Sequence, residues 1–157
     1  LFGGEGYGFL IAMKTFDRTR TGVAAAAVGN AQSAYDYSRE WAKKRIQFGH
    51  PVTNLQGVSF MIADMATEIE AARMLVWRAA WAYDTQQKDF SKLSAMSKYF
   101  ATDVAMKVTT DAVQVMGGEG YSKEHPVEKM MRDAKLSQIY EGTNQVNRLV
   151  VSKHVLK

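Results

Sequence analysis

Tyr140-Glu141-Gly142-Thr143 is the segment of this sequence best suited to chemistry. Its glycine favours a turn, and Thr143 is a good N-cap for a helix that follows. Glu141 therefore sits on a short turn beside a helix N-terminus. Two roles suit a carboxylate in that place. It can be a surface acid that complements the helix dipole. It can also be a general base, although the dipole works against this by stabilising the anion. A bound apolar ligand would then have to desolvate the carboxylate to make it accept a proton. Residue types and spacing leave both roles open.

Lys43-Lys44-Arg45 is the densest basic run, suited to a solvated helix end or to an anion site. With 20 basic and 16 acidic residues the net charge is only +4, and no clustered basic stripe exists to follow a nucleic acid. Cysteine is absent, which excludes disulfide scaffolds, thiol nucleophiles and iron–sulfur clusters. His50, His125 and His154 are too scattered for a local metal motif, so no metal site is expected. No run of eighteen apolar residues exists, so no membrane span is expected either.

The elements that must position these residues read as helices. Only Pro51 and Pro126 interrupt the 157 residues, which favours long uninterrupted segments. A glycine-rich start over 1–8 precedes a helix over 9–46, with Val23, Ala27, Asn30, Ala34, Tyr37 and Trp41 on one face. Phe16-Asp17-Arg18-Thr19-Arg20 is a candidate kink or second helix start in it. A loop over 47–53 follows. Leu55, Val58, Ile62, Met65, Ile69, Ala72 and Val76 then alternate three and four apart, a seam for helix packing that runs to about Asp84. A third helix from near Ser91 carries Leu93, Met96, Phe100, Val104, Val108, Ala112 and Val115, and ends at Gly117-Gly118, a left-handed cap. A loop leads to Pro126, the first residue of a short helix to about Lys135, and the last helix starts at Thr143. No β-strand is needed. The expected fold is all-α: an antiparallel up-and-down four-helix bundle with short extra helices. Trp41, Trp77 and Trp81, at helical spacing, belong to a core or an interface.

Five segments then occur in a telling order: Phe16-Asp17-Arg18-Thr19-Arg20; Arg45-Ile46-Gln47-Phe48-Gly49; Asp111 to Gly118; Pro126-Val127-Glu128-Lys129 with Met131 to Lys135; and Gln138 to Thr143. Together they resemble the C-terminal helical domain of the acyl-CoA dehydrogenases, of the medium- and short-chain type, over essentially all of residues 1–157. The resemblance implies that Glu141 is the base that removes the α-proton of an acyl-CoA thioester while a β-hydride passes to N5 of FAD. Some branches of that family carry the base at the position of Thr19, so this chain resembles the straight-chain branch. Asp17, Arg20, Tyr140 and Gly142 match substrate-side positions, with Gly142 and the Glu141 N–H at the thioester carbonyl. Arg45, Phe48, Gln114, Val115, Met116, Gly117 and Gly118 match positions that hold the FAD of a neighbouring subunit, and Thr143 and Gln145 further flavin contacts.

The resemblance also implies a homotetramer, electron-transferring flavoprotein as electron acceptor, fatty-acid β-oxidation as the setting, and a bacterial cytoplasm or mitochondrial matrix. The family's N-terminal helical and middle β domains are not in this sequence, so the isolated chain is expected to be inactive. Two alternatives accompany this: the chain is an oligomerisation module without activity, or its parent is an acyl-CoA oxidase.

Overall fold

The computed structural model describes residues 3–157; Leu1 and Phe2, at the head of the glycine-rich start, lie outside them. Among these residues six α-helices follow one another: α1 (Gly8–Lys44), α2 (Gln56–Asp84), α3 (Phe90–Met116), α4 (Gly118–Tyr121), α5 (Val127–Ser137) and α6 (Asn144–Val155). Asp17 meets Ser94 near one end, and Arg45 meets Glu119 at the other. Hence α1 and α3 run in the same direction, and α2 runs opposite to both. Asn30 donates to the Met130 carbonyl and Gln138 to Asp103, so α5 runs back along both and takes the fourth place of the bundle.

The core is built largely of small side chains. On α1 the buried residues are Arg20, Ala24, Ala27, Val28, Ala31, Ala34, Ser38 and Ala42. They meet Ala101, Ala105, Val108 and Ala112 of α3. Alanines let two backbones approach closely, which suits a seam with little side-chain entropy to lose. The face expected from sequence shares only Ala27 and Ala34 with this one, and Tyr37 is exposed. The α2 seam is the expected one at Met65, Ile69, Ala72 and Val76. On α3, Phe100 is exposed, and Ala101 and Ala105 are buried.

Five further expectations are corrected. The Phe16–Arg20 segment is neither a kink nor a second start, because α1 runs through it. The loop after α1 contains a minimal antiparallel pair, β1 (Ile46–Gln47) and β2 (His50–Pro51). Phe48 and Gly49 join them with φ of 53° and 83°, as two-residue hairpin turns require. The segment before Pro126 contains α4, where Gly120 is demanded by space: a Cβ there would lie 2.8 Å from Met116 Cβ and 2.9 Å from the Val113 carbonyl. Gly117 does end α3 with positive φ, but its ψ of −139° is outside the left-handed helical region. Trp77 and Trp81 are more than half exposed, which takes them out of the core.

Candidate active site

The Glu141 turn is bent sharply. Glu141 has φ of 57° and Gly142 of 85°, both on the left-handed side, where glycine is at ease and glutamate is not. Thr143 then caps α6, its hydroxyl accepting from the Val146 N–H at 3.3 Å. The conformation projects the Glu141 carboxylate onto α1, where the Thr19 hydroxyl donates to Oε2 at 2.6 Å. Position 19, which the family resemblance gives as the alternative seat for a base, thus faces the carboxylate itself.

Beneath the turn lies a buried polar network. Arg20, 4% exposed, donates from Nε to the Glu141 carbonyl at 3.3 Å and from Nη1 to Asp17 Oδ1 at 2.9 Å. Ser94 donates to the Asp17 carbonyl. Lys98 is fully buried and donates to the Gly142 carbonyl and to Asn144 Oδ1, each at 2.9 Å. Asn147 donates to the Gly142 and Thr143 carbonyls at 2.8 and 3.1 Å. Sequence singled out neither Lys98 nor the two asparagines. Their only signal is polar residues spaced three or four apart on helices that must be buried.

Burial, with the nearby Arg20 cation, pushes the Lys98 ammonium down to about 8 from the usual 10.5, while Asp103 and Glu141 partly oppose the shift. The unfolded chain keeps that proton up to about 10.5, so between about 8 and 10.5 it binds more protons than the folded one. Stability therefore rises with pH across that window and has no Lys98 slope below it. Calorimetric unfolding of the wild type against Lys98→Met should show this rise only in the wild type.

An open cleft of about 400 Å³ beside Thr19 is lined by Thr15, Arg18, Thr19 and Tyr83. The Arg18 guanidinium lies 5.1 Å above the Tyr83 ring. Tyr140 turns instead to a groove of about 260 Å³ against Ala26, Ala27 and Asn30. Thr143 and Gln145 line a third recess of about 350 Å³ with Asp103, Lys135 and Arg148.

The other expected cofactor residues gather at the far end of α1. Arg45 Nη1 pairs with Glu119 at 3.2 Å, and Glu119 also accepts from Trp41 Nε1 at 2.9 Å. Phe48 is 84% exposed, and Gln114, Gly117 and Gly118 are exposed as well. The Val115 and Met116 side chains are buried in the core, so only their backbone could meet a ligand. Asp103, which lines the Thr143–Gln145 recess, and Gly117 at the end of α3 are 14 residues apart, which separates the two groups by roughly 21 Å along that helix.

Residues 6–156 match the family model described as acyl-CoA dehydrogenase, C-terminal domain. The chain belongs to the acyl-CoA dehydrogenase family. It is 51% identical over all of its length to cyclohexane-1-carbonyl-CoA dehydrogenase of Geobacter metallireducens, of which it covers 41%. It superposes on butyryl-CoA dehydrogenase of Megasphaera elsdenii with a TM-score of 0.95 and 51% identity, covering 99% of this chain and 40% of that one. A structure from work on the electron transferring flavoprotein of Acidaminococcus fermentans matches with a TM-score of 0.96 and 52% identity, over 99% and 40% of the two chains. The chain thus spans about two-fifths of the length of these acyl-CoA dehydrogenase relatives. No helix among its described residues is long and apolar enough to cross a membrane.

Proposed function

We propose that this chain supplies the base and part of the cofactor site of an FAD-dependent acyl-CoA dehydrogenase acting on straight-chain thioesters. The observation that carries it is the Glu141 carboxylate, held on a left-handed turn and met by Thr19 at 2.6 Å beside an open cleft. A thioester seated in that cleft would present its α-carbon to Glu141. The carboxylate takes the α-proton, the C–H electrons move to form the Cα–Cβ double bond, and the β-hydrogen leaves as hydride. FAD, when bound, supplies the acceptor for that hydride. Gly142, and the N–H of Glu141, would bind the thioester carbonyl and stabilise the developing enolate. Among the described residues no protein group accepts from the N–H of Glu141, Gly142 or Thr143, which suits that task. Anaerobic addition of butyryl-CoA to the full-length flavoprotein should bleach the flavin, and the same addition to Glu141→Gln should not.

The FAD fit rests on chemistry at both ends. Arg45 keeps guanidinium donors beyond the one that Glu119 takes, and its fork suits a pyrophosphate. Gly117 and Gly118 have nothing within 4 Å of an added Cβ, so a cofactor can approach their backbone. As the family resemblance implies, the Arg45 group serves the cofactor of a second copy, while Thr143 and Gln145 serve the chain's own. The exposed Met74, Trp77 and Trp81 on one face of α2 offer an apolar surface for assembly into the homotetramer. Electron-transferring flavoprotein is the acceptor that would reoxidise the flavin.

Arg45→Ala in the full-length protein should lower FAD affinity roughly 10- to 100-fold, the worth of a hydrogen bond to a charged group. Flavin absorbance per subunit after gel filtration measures it, and full flavin retention would remove Arg45 from the site.

A further inference from the structure

Lys98 has no evident reason to be a lysine. Its side chain is fully buried, and among the described residues no carboxylate lies within ion-pair distance of it. A methionine would fill similar space without desolvating a charge. What its ammonium does is hold two oxygens, the Gly142 carbonyl and Asn144 Oδ1. Asn144 is in turn fixed, its Nδ2 donating to Thr102 Oγ1 at 2.9 Å and to Asp103 Oδ1 at 2.7 Å.

The three consecutive carbonyls of Glu141, Gly142 and Thr143 are all bound from the protein interior. Arg20 of α1 takes the first, Lys98 of α3 and Asn147 of α6 take the second, and Asn147 takes the third. In a planar trans peptide the next N–H points opposite the carbonyl. Binding the Glu141 and Gly142 carbonyls inward therefore turns the N–H groups of Gly142 and Thr143 outward. It also opposes relaxation of Glu141, whose φ of 57° is strained for a non-glycine residue. A backbone in such a conformation persists only where its surroundings impose it.

We propose that Lys98 is a positioning residue: by anchoring the Gly142 carbonyl it holds Glu141 in the left-handed conformation that delivers the carboxylate to Thr19 and faces the following amides away from the core. It touches neither the carboxylate nor the cleft. The charged groups around it are Arg20 with Asp17 on α1, Asp103 on α3, Arg148 on α6 bound to Asp103 at 2.7 Å, and Glu141 on the turn. The proposal rests on Glu141 being the base, so its test carries a control for that assignment.

The test uses the full-length flavoprotein with butyryl-CoA as probe, comparing wild type, Lys98→Met and Glu141→Gln. Lys98→Met should lower kcat by about 100-fold, as misplacement of a reacting group by about 1 Å does, with KM within about 3-fold and flavin content unchanged. A crystal structure of the variant should show Glu141 out of the left-handed region, or its carboxylate parted from Thr19. Wild-type kcat in Lys98→Met, or an unmoved Glu141 in its structure, overturns the proposal. Wild-type kcat in Glu141→Gln instead overturns the base assignment and takes the catalytic half of the proposal with it. If Lys98→Met does not fold, Lys98→Leu replaces it under the same criteria, since it too has no donor for the Gly142 carbonyl.

Discussion

Glu141→Gln in the full-length flavoprotein should lower kcat for butyryl-CoA by about 10⁴-fold, the upper range for loss of a positioned base. The substitution changes almost nothing else. Glutamine has the same length, and its amide oxygen can still accept from the Thr19 hydroxyl, which now donates at 2.6 Å. The left-handed turn is held by its carbonyls rather than by the carboxylate, so the backbone should stay where it is. Loss of turnover would therefore report on proton abstraction and not on collapse of the site. Circular dichroism, melting temperature and flavin content should all match the wild type. Turnover within tenfold of wild type would mean that the α-proton goes elsewhere, and that Glu141 is the dipole-complementing acid that its position equally suits.

How much of this was legible depends on what each residue's neighbours are. The turn at 140–143 and its helix cap could be read locally, because glycine and threonine signal their own conformations. The five longer helices were legible because prolines are few and the α2 seam is periodic, whereas the four-residue α4 was not. The α1 face was misread for a physical reason. The stripe Val23, Ala27, Asn30, Ala34, Tyr37 and Trp41 follows the bulky residues, whereas the buried face is mostly alanine, whose small size lets α3 come close. Bulky side chains mark a core only where there is room for them. The pairing of Ile46–Gln47 with His50–Pro51 is too short to show a strand pattern. That Glu141 meets Thr19 spans 122 residues, and no spacing rule reaches that far. It entered only as what a family resemblance implied about position 19. Lys98 was invisible for the opposite reason. In the run Met96-Ser97-Lys98-Tyr99 it reads as solvated, and only the packing of α6 over α3 shows that it is buried. The split between the Arg45 and Thr143 groups is a consequence of one uninterrupted 37-residue helix, whose length the sequence allowed but whose continuity it left open at Phe16–Arg20.

That same continuity puts Arg20 where its removal should cost most in stability. Its guanidinium bridges α1 to the turn from a site 4% exposed, bonding Asp17 and the Glu141 carbonyl at once. Arg20→Met keeps the apolar stem and removes the charge. Two groups then lose their partner: a carbonyl beneath the turn, and a carboxylate whose side chain is 27% exposed. Breaking a fully buried pair costs about 3–5 kcal/mol, and water can still reach Asp17, so about 3 kcal/mol is expected. Asp17→Asn together with Arg20→Met should recover part of that loss, because the stranded charge is gone while the missing bond to Glu141 is not. The pair of variants thus separates two contributions of one residue. Stability measured by urea unfolding should improve from the single to the double variant, while kcat should stay about 100-fold down in both, because the turn has lost its α1 anchor in each. If the double variant recovered turnover as well as stability, Arg20 would act only by neutralising Asp17, and the turn would be held by Lys98 and Asn147 alone.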